Sequence, residues 1–161
     1  MDDLIIKPIG IIHTPHTDVK NMPIQPIAAE GICGYIELLP EYVAGLKDIE
    51  GFSHLTLLYR FHKIEGYQLE VIPFMDKEPH GIFSTKAPKR PNAIGLSTVK
   101  LKSVVGNIIH IEQVDMLDGT PLIDIKPFYP RYDNRDNVRI GWLEKNKDLP
   151  LEKLRSDERF K

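Results

Sequence analysis

Short apolar runs, each cut off by glycine or proline, fill this chain from its N-terminal end to about residue 127. None is followed by the long helical repeat of apolar positions that a β-α-β unit needs. With 13 prolines and 11 glycines among 161 residues, the chain is divided too finely for a doubly wound nucleotide-binding fold. The pattern predicts a mainly β protein: a compact barrel-like domain with a short C-terminal helical or irregular extension. The division predicted is a barrel over residues 1–130 and an extension over 131–161, packed on or beside the barrel.

Within that frame, strands are expected at 4–12, 31–39, 55–61, 67–72, 96–105, 108–114 and 121–125. Pro8 and Gly10 mark an edge or bulge in the first. Residues 55–61 put Leu55, Leu57, Tyr59 and Phe61 on one side and Leu58 and Arg60 on the other. Residues 67–72 are expected to pair with them after the turn at Gly66. In 96–105, Ser97, Val99 and Leu101 share one face, and Gly106-Asn107 then turns the chain into the next strand. Residues 17–30 and the proline-rich stretch 73–92 read as long loops, which in compact proteins often carry function. Short helical turns are expected near 41–45, at 140–143 and after Pro150.

Charge narrows the function classes only a little. The 21 basic and 23 acidic residues leave a net charge of -2, which neither demands nor excludes nucleic acid, since a local basic face suffices. Lys89, Lys100 and Lys102 are candidates for such a stripe, and the nine basic and seven acidic residues from Arg131 onward form either a solvated appendage or a partner surface. The single cysteine, Cys33, excludes an intrachain disulfide and a cysteine-rich zinc site, and its apolar neighbours predict a buried thiol. No apolar run is long enough to span a bilayer, and no basic segment leads into an apolar one at the N-terminus. The expectation is a cytoplasmic protein with no membrane partner. HExxH, P-loop and Gly-x-Ser-x-Gly patterns are all absent, so no metal is expected.

Chemistry-bearing residues concentrate in two loops. Residues 81–92 join Lys86, Lys89, Arg90 and Asn92 to restraining prolines. They could hold an anion or the carboxylate of an amino-acid-like cofactor, or form a structural loop whose arginine binds nearby carbonyls. Residues 115–121 could place Asp115, Asp118 and Thr120 beside a polar ligand, while Asp118-Gly119 is equally a turn signal. Asp124 could orient a base or pair with Lys126. His13, His16, His54 and His62 can each serve as base, donor or structural group. No residue is assigned as catalytic.

These segments, taken in order, resemble the TsaA-like tRNA methyltransferase family, also called the TrmO family. The resemblance lies in residues 9–16, 51–62, 81–97 and 115–127. It implies a compact barrel that binds S-adenosylmethionine, and a dimer with cofactor sites near the subunit contact. It also implies methyl transfer to N6 of threonylcarbamoyl-adenosine at tRNA position 37. By resemblance the cofactor wall comprises Thr14, Pro15 and His16; Phe61 and His62; Lys86, Arg90 and Leu96; and Leu117, Asp118, Gly119 and Thr120. The expected partners are tRNA, a second copy of the chain in a homodimer, and a tRNA-modification protein. Lys86 stands where the family commonly has arginine, and Ala93 where it commonly has proline. A methyltransferase with another substrate, or a noncatalytic S-adenosylmethionine- or RNA-binding module, are the alternatives.

Overall fold

The structure is a computed structural model that describes residues 2–160. Its strands in chain order are β1 (Gly10–His13), β2 (Cys33–Leu38), β3 (His54–Arg60), β4 (Glu70–Val71), β5 (His80–Gly81), β6 (Ile94–Val105), β7 (Ile108–Glu112) and β8 (Thr120–Pro127). Six of them close into a barrel in the order β1-β2-β7-β6-β3-β8. Every neighbouring pair is antiparallel, and β1 completes the ring by pairing β2 on one side and β8 on the other. β4 and β5 form a separate two-stranded ribbon.

Alternation explains the barrel's interior. Leu55, Leu57 and Tyr59 of β3 are buried, while Thr56 and Leu58 between them are partly exposed, as a period of two requires. They meet Ile12, Ile36, Val99, Ile109, Ile111 and Leu122 from the other strands in one apolar cluster. In β6 the register against β7 slips between Leu101 and Ser103. Val99 and Leu101 contact the core before this bulge, and Val104 contacts it afterwards, so one extra residue exchanges the inward parity. Gly106 turns the chain into β7 at φ 63°, a left-handed conformation that glycine adopts without a Cβ penalty.

Several expectations need correction. Strand pairing begins at Gly10 rather than residue 4, and Leu4 and Ile5 lie exposed. Residues 67–72 do not pair with β3, because β6 and β8 already occupy both its flanks; Glu70 and Val71 pair instead with Gly81 and His80. Cys33 is exposed, since at that point of β2 it is Ile36 and Leu38 that face inward. Lys102 binds Glu112 at 2.9 Å and Lys100 lies 4.0 Å from the same carboxylate, so this part of the basic stripe is already counterbalanced.

Beyond β8 the chain makes one short helix, α1 (Pro130–Asp133), and 3-10 turns at Gly141–Asn146 and Leu151–Lys153. This segment is stitched to residues 19–23. Ser156 and Met22 exchange backbone and side-chain hydrogen bonds of 2.8–2.9 Å, and Arg155 bridges Pro23. Phe160 enters a second apolar cluster with Val71, Ile82 and Ala87.

Candidate functional site

A cavity of about 800 Å³ opens where the ends of β3, β6 and β8 meet the 17–30 loop, the 81–92 loop and the C-terminal segment. Its construction begins with a glycine. Gly95 of β6 lies opposite Tyr59 of β3, and a Cβ at Gly95 would stand 2.3 Å from the Tyr59 ring and 2.9 Å from Phe61. The missing side chain lets both aromatic rings close against the strand, edge to face with centroids 5.4 Å apart.

Tyr59 is thereby aimed at Ser97, with its hydroxyl 3.0 Å from the Ser97 Oγ. Ser97 Oγ donates to an Asp115 carboxylate oxygen at 2.7 Å. Having spent its one proton on Asp115, Ser97 accepts from Tyr59, so the three groups form a directed chain. Asp115 is enclosed by protein on most sides but forms part of the cavity wall. Burial pushes its carboxyl up to about 7, while the Ser97 hydrogen bond, its own backbone N–H and the Lys86 charge pull the other way. Burial, followed by the Asp115 charge, pushes the Tyr59 phenol well above its ordinary value.

A second polar pair lies across the cavity. Thr120 Oγ1 donates to the Leu117 carbonyl at 2.7 Å and stands 3.3 Å from His62 Nδ1. Since the Thr120 proton is committed to Leu117, this contact is favourable when Nδ1 carries the imidazole hydrogen. That leaves Nε2 as an acceptor. Burial is the main influence pushing the His62 imidazolium below its usual range, and Lys63 adds to it, so the ring is neutral near pH 7.

The residues expected at the site divide into two groups. Phe61, His62, Lys86, Arg90, Leu96, Leu117 and Thr120 line the cavity, drawn together from three separate sequence motifs. Thr14, Pro15, His16, Asp118 and Gly119 are not among its lining residues; Thr14, His16 and Asp118 are instead tied to one another and to Met116, which does line it. Thr14 Oγ1 donates to the Met116 carbonyl at 2.8 Å, the Thr14 N–H donates to Asp118 at 3.0 Å, and the Asp118 N–H donates to the His16 carbonyl at 2.8 Å. Arg90 resolves toward its structural reading: its Nη1 donates to the carbonyls of Ile82, Thr85 and Ala87 at 2.8–3.4 Å, fastening the turn that presents Lys86. Ala93 takes φ 45°, a value closed to proline. Asp124 and Lys126 pair with each other at 2.8 Å on the surface.

Sequence reasoning passed over Phe83 and Trp142, both of which line the cavity, and left Ser97 without a role. Ser97 carried a recoverable signal, since it falls on the packed face of its strand, where a hydroxyl needs a partner.

Residues 11–134 match the family described as tRNA-methyltransferase O N-terminal domain. Over 154 residues the chain is 56% identical to a protein of Pyrococcus abyssi described as a "Probable S-adenosyl-L-methionine-binding protein", covering 96% of this chain and 83% of that one. It is 34% identical to a Homo sapiens tRNA (adenine(37)-N6)-methyltransferase, covering 84% of this chain and 32% of the relative. Among solved structures, TrmO from Pseudomonas aeruginosa superposes with a TM-score of 0.74 at 34% identity, covering 88% of this chain and 63% of that one. The chain thus spans less than two thirds of the Pseudomonas protein and about a third of the human one.

Proposed function

The chain belongs to the tRNA-methyltransferase O N-terminal domain family, and from that membership we propose that it binds S-adenosylmethionine in the walled cavity and methylates N6 of threonylcarbamoyl-adenosine at tRNA position 37. One observation carries the proposal: the fold gathers Phe61, His62, Lys86, Leu96, Leu117 and Thr120, distant in sequence, around a single cavity of about 800 Å³.

The donor set suits the ligand's chemistry. S-adenosylmethionine combines a carboxylate, two positive charges and an adenosine. Lys86 offers an ammonium for the carboxylate. Two carboxylates line the cavity, and Arg159 already holds that of Asp157 at 2.7 Å, which leaves Asp115 to balance positive charge. Phe61, Leu96 and Leu117 offer apolar surface to the nucleoside. When bound, the sulfonium supplies an electrophilic methyl group. The protein's own contributions are orientation and charge. Asp115, held by Ser97 and through it by Tyr59, supplies negative charge when ionised, the form that a bound cation favours. His62, held by Thr120 with its hydrogen on Nδ1, offers Nε2 to accept a proton.

Incubating the protein with labelled cofactor and tRNA that carries the modified adenosine tests the assignment, with the labelled nucleoside identified after digestion. N6-methylated threonylcarbamoyl-adenosine is the expected product. Label on another nucleoside, or binding without transfer, removes the substrate assignment. One observation favours a different acceptor within methyl transfer: Glu112 already engages Lys100 and Lys102, which leaves less free positive charge for RNA. The proposal includes a homodimer, for which exposed Tyr67, Leu69 and Tyr132 offer apolar contact area.

A further inference from the structure

Trp142 is the only tryptophan in the chain. It lies beyond the segment that matches the family, residues 11–134, yet it lines the same cavity. Its neighbours hold it as a fixed plate. The His80 imidazole stacks on it, with ring centroids 4.3 Å apart and planes 17° apart. His80 is itself gripped by Asp76 at 3.0 Å. The indole N–H donates to the Ser84 carbonyl at 2.8 Å. In the same 3-10 turn, Asn146 donates to the Met75 carbonyl at 2.7 Å.

Protein groups therefore take up one indole face and the only polar atom of the ring. What remains is apolar aromatic surface, and it borders the cavity. Phe83, which adjoins Ser84, lines the same space with 75% of its surface open to solvent. A rigid aromatic plate at the border of a cavity is the arrangement on which nucleobases stack, because every base presents a π-face.

We propose that Trp142 is a stacking platform for a purine base in this cavity, positioned by His80 and the Ser84 carbonyl. The proposal rests on the methyl-transfer reading, in which two molecules carry an adenine ring: the cofactor and the acceptor nucleoside. Either ring meets the same chemical requirement, and the experiment distinguishes them.

Because the chain has one tryptophan, its fluorescence reports on this plate alone. The unaltered protein is titrated separately with S-adenosylhomocysteine and with an anticodon stem-loop RNA carrying threonylcarbamoyl-adenosine. S-ribosylhomocysteine, which keeps the thioether and lacks the adenine, serves as control. Calorimetry follows binding in parallel. A saturable fluorescence change with either adenine-bearing probe and none with the control is expected, and the responding probe identifies which adenine stacks. Trp142→Ala is expected to weaken that probe by roughly 5- to 100-fold, and Trp142→Phe to keep most of the affinity. Heat of binding with unchanged fluorescence for both probes, or an equal response to the purine-free control, overturns the platform and leaves the methyl-transfer reading standing. Binding of neither probe overturns both. Should Trp142→Ala fail to fold, the unaltered protein and Trp142→Phe still decide the matter.

Discussion

At the scale of single residues, Asp115 makes the sharpest demand on the protein. Its carboxyl titrates near 7 in the folded state against 3.8 for an ordinary aspartate. Between those values the native protein binds a proton that the unfolded chain has released, so this residue's contribution to stability falls as pH rises toward 7 and is flat beyond. An asparagine in its place would keep the shape of the side chain and still accept from Ser97 without carrying the buried charge. Urea unfolding of Asp115→Asn at pH 5 and at pH 8 should therefore show the variant gaining on the native protein as pH rises, by up to a few kcal/mol on the order-of-magnitude scale of such shifts. A difference between the two proteins that does not change with pH would mean that the carboxyl is better hydrated than its surroundings imply. The sequence left Asp115 and Asp118 on equal terms, as two acids flanking one turn. Only the fold separates them, by setting Asp115 against Ser97 on the cavity side and turning Asp118 toward Thr14. Arg90 is a similar case, because a guanidinium fits a ligand carboxylate and a row of backbone carbonyls equally well until the turn around it is known.

At the scale of elements, the β3–β6 pairing sets the shape of the site. Gly95→Ala would drive a methyl into the Tyr59 ring, which cannot swing aside while it is buried and bonded to Ser97. A loss of about 1–3 kcal/mol of stability is expected, as for other overpacked interiors, measured by the shift in urea midpoint. A neutral substitution would show that Tyr59 has another place to go. The alternation that reveals β3 in the sequence is strong because its inward residues are large and its period is kept for the whole strand. The same alternation in residues 67–72 misled, since period two says that a strand forms and is silent about its partner. Partner choice was decided by occupancy: both flanks of β3 were taken, and the ribbon formed with His80–Gly81 instead. Trp142 was illegible for a related reason. Its anchors His80 and Ser84 lie about sixty residues away in the chain, and no local spacing encodes such a contact.

At the scale of the molecule, folding and ligand enclosure fall to different segments. Among the described residues, the barrel's apolar cluster draws on nothing beyond Ile125, whereas Trp142, Leu143, Leu151 and Phe160 all line the cavity. A chain ending at residue 140 is expected to keep its strand circular dichroism and a cooperative unfolding transition, while losing more than roughly tenfold in affinity for S-adenosylhomocysteine. Collapse of the strand signal on truncation would show that the tail also holds the barrel together. The closure of the ring between β1 and β8 has one more effect. Each of the six strands has a hydrogen-bonded neighbour on both sides, so the barrel has no edge strand to which a stranger's extended chain could be added along its full length; backbone paired on one flank only is confined to staggered stretches such as residues 94–99 of β6. Two copies meeting at high concentration touch through side chains, loops and short staggered stretches rather than along a whole strand, a built-in bias against fibrous aggregation that does not depend on the loops around its mouth.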